Sequence, residues 1–431
     1  MTVFVHTQGC KVNQYETQAI REILEKNGYD VENYIPGMAD IGGHAILINS
    51  CTVTGESDRK LRQFIRRCRR EHPSSIIILT GCFSQAFPKE AASIQEVDIL
   101  LGNSKRSIIA DVLSQYQENH QRIINIDSHT KEYEPLCIHS FDERTRAFLK
   151  IQDGCDCFCT YCIIPYSRGR IRSDSLENIQ KESQSLALQG YKEIVLTGIN
   201  LTAFGRGTDI DLSDAVSTVA SVNGIERIRL GSLEPDDMTP ELIKKLAKEP
   251  KLCPQFHVSL QSGCTETLKR MHRRYTAEEY ATVCHNLRKA FIDCSLTTDV
   301  MVGFAGETEE EFQQSYDFVQ SIGFEKIHVF PYSIRPGTAA AKFPNQLTNT
   351  IKNDRCRKMI ALGNKLQKAF FKDYIGKTVE ILTEIENSEG YTEGYTKNYI
   401  PVHVKGHLPH NTLVKVEIEK EENGVCYAIS L

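Results

Sequence analysis

The residues best equipped for chemistry in this sequence are cysteines, fifteen in 431 positions. Cys155, Cys159 and Cys162 stand together in DGCDCFCTYCIIPYSRGR with the spacing C-x3-C-x2-C. Three thiolates at the carboxyl end of a barrel strand can hold three irons of a 4Fe-4S cube and leave the fourth open. An open iron can chelate the amino and carboxylate groups of S-adenosylmethionine (SAM), placing the sulfonium for one-electron cleavage. Zinc is the alternative occupant, but a structural zinc normally takes four protein ligands. The spare thiol, Cys157, sits inside the loop at poor spacing and reads as a bystander.

A second set is dispersed. Cys10 lies in TQGCKVNQYET, Cys51 in INSCTVTGES and Cys82 in LTGCFSQ. Each follows an apolar run that reads as a parallel strand, and the carboxyl ends of such strands converge on one sheet edge. Cysteines 41 and 31 residues apart can therefore meet there and hold a second cluster. Three unrelated half-buried thiols would not all be expected at strand ends beside Gly or Ser. A disulfide framework fits poorly with a long chain, an odd cysteine count and no recognisable export signal.

The elements that must position these thiols read as three α/β and β parts. Residues 1–126 alternate TVFVHT, AILINS, SIIILT and DILL with helical patterns, which predicts a doubly wound parallel sheet. Asn13, with Glu16 three residues on, reads as a capping box opening the first helix. A polar linker spans 127–143. Within 144–370 six strand-like runs, each followed by a helical segment, predict a partial (β/α)6 barrel. Residues 371–431 read as short strands between turns, a small β-barrel.

The cysteine loop, with Tyr161 before its third cysteine and IIPYSRGR after it, resembles the radical SAM superfamily and in particular its methylthiotransferase branch. The GCK-N-ET, NSC-V and TGC segments resemble that branch's amino-terminal domain, and the last part resembles its RNA-binding TRAM module. The resemblance implies a radical SAM cluster on Cys155, Cys159 and Cys162 and an auxiliary 4Fe-4S cluster on Cys10, Cys51 and Cys82. It also implies SAM contacts from Tyr161, Gly198, Asn200, Ser232, Glu234, Gln261 and Asp299. Ala305 and Ala340 stand where the family usually has proline. The implied chemistry uses one SAM as radical source and another to methylate a sulfur that is then placed on an adenine carbon, with no classical acid-base pair. The loop and the compact length look most like the enzymes that convert N6-threonylcarbamoyladenosine at tRNA position 37, beside the anticodon, to its 2-methylthio form. Neighbouring branches act on isopentenyladenosine or on a ribosomal-protein aspartate. A reading from another class is a non-catalytic iron-sulfur RNA-binding sensor, which would need only the first three cysteines.

A net charge of -5 offers no global attraction for RNA, so tRNA contact must come from local basic faces. Arg59, Arg62, Arg66, Arg69 and Arg70 share one side of a predicted helix as a phosphate-tracking surface would. A second run, Lys269, Arg270, His272, Arg273 and Arg274, can face the same groove, and Lys397 and neighbouring tyrosines supply a further contact. The remaining expectations are an external electron donor of flavodoxin or ferredoxin type, no membrane span and a cytoplasmic location.

Overall fold

The structure, a computed structural model, describes residues 1–141 and 145–431; the boundary expected between 143 and 144 lies outside them. The amino-terminal part is one sheet of β1 (Thr2–Gln8), β2 (Asp30–Asn33), β3 (Ala45–Ser50), β4 (Ile76–Gly81), β5 (Ile99–Leu101) and β6 (Ile123–Asn125). Its order is β2-β1-β3-β4-β5-β6, and every pairing is parallel. All six residues of β3 are buried, as a strand covered on both faces requires. Val3, Leu47 and Ile78 pack into the core on one face, and Ile46, Ile65 and Leu79 into the core on the other.

Helices α1 (Lys11–Lys26), α2 (Gly55–Glu71) and α3 (Cys82–Ala86) follow β1, β3 and β4. The capping box expected at Asn13 and Glu16 is corrected. Cys10 is the cap, and Asn13 reaches back to accept its N–H at 3.2 Å. Glu16 is fully buried and bonded to cations, so its carboxylate is not available to a helix start.

The central part opens with β7 (Arg146–Lys150), then a short antiparallel pair, β8 (Gln152–Asp153) and β9 (Arg172–Ser173), at the base of the cysteine loop. Next come β10 (Glu193–Thr197), β11 (Arg227–Leu230), β12 (Ser232–Leu233), β13 (Gln255–Val258), β14 (Ser295–Val302) and β15 (Lys326–Pro331). They form the parallel orders β11-β10-β7 and β12-β13-β14-β15. β11 and β12 are one run broken at Gly231, whose N–H bonds Leu196 O at 2.9 Å. The result is a six-strand open arc. One continuous core covers it and takes in Tyr15 and Ala19 of α1, which fastens the amino-terminal part to the barrel.

A long helix, Asn349–Lys372, leads to β16 (Thr378–Glu386), β17 (Tyr391–Thr396), β18 (Pro401–Lys405), β19 (Leu413–Glu422) and β20 (Val425–Ser430). These close into a barrel in the order β16-β17-β18-β20-β19. Residues alternate in and out along β17, and Ile381, Val402, Val404, Val416 and Ile418 fill the interior. Arg229 of β11 donates to Lys397 O and Thr396 O at 2.7 and 2.8 Å, docking this barrel on the central arc. No helix among the described residues is long and apolar enough to cross a membrane.

Candidate active site

β1, β3 and β4 are neighbours whose last residues are level: Gln8 pairs with Ser50, and Ser50 with Gly81. Cys10, Cys51 and Cys82 therefore emerge at one sheet edge, at the β1/β3 switch point where such sheets bind ligands. Gly81 (φ 101°) lets these ends approach, since a Cβ there would lie 2.4 Å from Ser50 O. Burial, reinforced by Cys82 and Cys10, pushes the Cys51 thiol up to about 12. Burial also raises Cys10. Thiols held neutral in this way ionise when a metal takes the proton's place.

The second loop is pinned along its length. Cys155 N–H bonds Gly169 O, Thr160 N–H bonds Met271 O, and Cys162 N–H bonds Cys159 O, each at 3.0 Å. Gly154 (φ 77°) makes the entering turn, where a Cβ would meet Arg170 O at 1.9 Å. Burial and the neighbouring Cys159 raise Cys162 to about 12. Cys157 is drawn aside: its Sγ lies 3.9 Å from Asn200 Nδ2, and its N–H points at Cys155 Sγ 3.5 Å away. Among the described residues no three His, Cys, Asp or Glu side chains converge as a single ion requires. A 4Fe-4S cube bound at three corners takes one thiolate per iron, and each triple offers three cysteines.

A buried ionic cluster, not evident in the sequence, joins the two loops. Glu16 of α1 receives Arg168, Arg106 at 2.8 Å and Lys150 at 3.0 Å. Asp153 receives Lys150 at 2.8 Å. Burial alone would raise the Glu16 carboxyl, but Arg106, Arg168 and Lys150 outweigh it and hold it at about 2. Arg168 also donates through Nε to Cys82 Sγ at 3.3 Å. The guanidinium thus spans from the Cys82 thiol to Asp153, two residues before Cys155.

The arc encloses a cleft of about 1290 Å³, lined by Cys10, Lys11, Gly198, Ser232, His257, Asp299 and His328 among others. A smaller cavity of about 150 Å³ adjoins it through Val53, Ile164 and Asp299, and carries Tyr161, Cys162 and Gln261. Five of the seven expected SAM contacts thus line this connected space, and two do not. Asn200 is buried, with its Oδ1 accepting from Thr202. Glu234 is held by Arg273. Gln152 Oε1 accepts the N–H groups of Ile199 and Asn200, both at 2.8 Å, fixing the Gly198 segment against the cysteine loop. Gln261 adopts a left-handed backbone (φ 67°), and its buried side-chain oxygen has no partner among the described residues. An orphaned polar atom beside Cys162 suits a polar ligand such as SAM.

The basic residues divide. Arg59, Arg66 and Arg70 are exposed on α2 and Arg62 is half-buried, and Glu56 and Glu90 hold Arg59 and Arg62 at 2.5 and 2.6 Å. Arg69 is committed to Pro73 O, Ser75 O, Glu96 O and Asp98. Arg273, expected to face RNA, is corrected: it is buried against Glu234 and donates to Cys159 Sγ at 3.3 Å. Lys269 and Arg270 pair with Glu266 and Glu311. The Lys397 side chain is half-buried, and Tyr395 and Tyr399 stack on each other beneath Arg146.

Comparison with known proteins agrees with this geometry. Residues 149–319 match the Radical SAM superfamily, and residues 2–102 match Uncharacterized protein family UPF0004. The chain is 42% identical over 387 residues to Threonylcarbamoyladenosine tRNA methylthiotransferase MtaB of Bacillus subtilis, covering 89% of this chain and 85% of that protein. It is 35% identical to the tRNA-2-methylthio-N(6)-dimethylallyladenosine synthase of Clostridium novyi, covering 88% and 85%. In fold it is similar to the radical SAM methyltransferase TsrM from Kitasatospora setae, with a TM-score of 0.58, 14% identity and coverage of 79% and 76%. Cofactors of this class are 4Fe-4S clusters and SAM. The chain belongs to the radical SAM methylthiotransferase family.

Proposed function

We propose that this enzyme converts N6-threonylcarbamoyladenosine at position 37 of tRNA, beside the anticodon, to its 2-methylthio derivative. The chemistry is supported by Cys10 and Cys162, one from each triple, lining adjoining cavities, and the substrate by the 42% identity to the Bacillus subtilis threonylcarbamoyladenosine enzyme. Cys155, Cys159 and Cys162 would hold the radical SAM cluster, and Cys10, Cys51 and Cys82 the auxiliary one. When bound, these groups supply one-electron cleavage of SAM and a sulfur to be methylated and transferred. The chain's own residues bind and orient. Gln261, Tyr161 and Asp299 would hold SAM, Gly198 and Ser232 line the lumen, and Arg273 and Arg168 each hydrogen-bond one cysteine of a triple.

The proposed division is 1–126 for the auxiliary cluster, 127–143 as linker, 144–370 as barrel and 371–431 as the TRAM-like module. Arg59, Arg62, Arg66 and Arg70 would track tRNA phosphates. A flavodoxin- or ferredoxin-type protein would supply electrons. None of the fifteen cysteines is in a disulfide, which suits a reducing cytoplasm. Mass spectrometry of tRNA nucleosides from a strain lacking the gene, with and without its restoration, tests the reading. Loss and recovery of 2-methylthio-threonylcarbamoyladenosine is expected. Loss of the methylthio form of dimethylallyladenosine instead would move the enzyme to the other branch.

A further inference from the structure

We propose that Lys11 is the specificity-determining residue of the lumen and binds the carboxylate of the threonylcarbamoyl group, an inference that rests on the functional reading above. The two modified adenosines named among the relatives differ sharply at N6: one carries a carboxylate and a hydroxyl, the other a branched hydrocarbon. Selecting the first calls for a cation not already committed. Arg146 is neutralised by Glu193 and Glu384 at 2.8 and 2.7 Å, although its Nη2 keeps no hydrogen-bond partner among the described residues. Arg229 is held by Glu193 at 2.6 Å and by two carbonyls of the carboxyl-terminal barrel. Lys11 lines the same cleft, has no carboxylate partner among the described residues, and sits 5.9 Å from the centre of the Phe148 ring.

Helix stability does not account for this lysine. It is the first residue of α1, where a cation opposes the helix dipole, and the first turn holds no acidic residue to balance it. Its place beside Cys10 suits the substrate instead. C2 and N6 of adenine flank N1 on one edge of the ring, so a base offering C2 to a sulfur held near Cys10 offers its N6 substituent to the neighbouring residue. Lys326, the other lumen lysine without a carboxylate partner among the described residues, stands at the amino-terminal end of β15, opposite the ligand loops.

The test is anisotropy binding of the anaerobically reconstituted full chain to anticodon stem-loops carrying threonylcarbamoyladenosine, dimethylallyladenosine or plain adenosine at position 37. The wild type should prefer the first. Lys11→Met should lose about tenfold of that preference, the scale of a hydrogen bond to a charged group. Lys11→Arg should restore most of it, and Lys326→Met should leave it intact. A preference unchanged in Lys11→Met, or abolished in Lys326→Met, overturns the proposal while the functional reading stands. A wild type that neither prefers nor modifies the threonylcarbamoyl substrate overturns that reading and the proposal with it.

Discussion

Gln152 and Gln261 show how single polar side chains build this site. Gln152 Nε2 donates to Asp153 O and Gly154 O while its oxygen accepts from Ile199 and Asn200, so one carboxamide ties the cysteine loop to the segment after β10. Gln261 does the reverse: its backbone is locked to Asp299 and Met301 by bonds of 2.9 and 2.8 Å while its side-chain oxygen is left unused. An unpartnered buried acceptor on a residue held at positive φ marks Gln261 as a candidate ligand contact. Gln261→Ala should weaken SAM binding by about tenfold, the value of one buried hydrogen bond. Equilibrium dialysis with labelled SAM checks this, and unaltered affinity would remove Gln261 from the pocket. Gln261 could be nominated from sequence because a motif surrounds it. Gln152 and Arg168 could not be assigned these tasks, because their partners lie far away in the chain.

At the scale of elements, local pattern carried well. The six barrel runs and the placement of each cysteine after a strand follow from apolar runs ending at turn residues, and the β1, β3, β4 adjacency turns that spacing into one edge. Pairing across elements was not legible. Glu56 and Glu71 oppose Arg59 and Arg67 within α2 itself, whereas Glu90, Glu96 and Asp98, which meet Arg62, Arg66 and Arg69, come from after β4. Arg273 looked like part of a basic surface because nothing local shows that the residues from 265 to 275 fold in behind Cys159. Glu325, just before β15, is a further hidden case, since burial raises its carboxyl to about 7. A folded pKa above the unfolded value near 4.3 means that the folded state holds the extra proton, so this stability is lost as pH rises from about 4.3 through 7. Glu325→Gln should therefore be stabilising by up to about 3–4 kcal/mol at pH 8 but by only about 1 kcal/mol at pH 5. Urea unfolding at both values checks it, and equal effects at the two would contradict the assignment.

For the whole molecule, the central fact is that one lumen is served by two domains. α1 carries Cys10 and Lys11 into the cleft and packs Tyr15 into the barrel core, while Glu16 beside it anchors the Arg106, Lys150 and Arg168 cluster. Removing either partner of a buried charge set of this kind costs about 3–5 kcal/mol, so the two domains are expected to keep their relative placement. The carboxyl-terminal barrel is held on the other side through Arg227 and Arg229. This juxtaposition would let two separate clusters, one on each cysteine set, take different tasks at one substrate. The most direct test is iron and sulfide content, with SAM cleavage, in anaerobically reconstituted wild type and in two triple-alanine variants, one for each cysteine set. The account predicts about eight irons per wild-type chain and about four in each variant. It also predicts that SAM cleavage is abolished when Cys155, Cys159 and Cys162 are replaced, but retained without methylthio product when Cys10, Cys51 and Cys82 are replaced. About four irons in the wild type, or equal loss of cleavage in both variants, would contradict two clusters with separate roles.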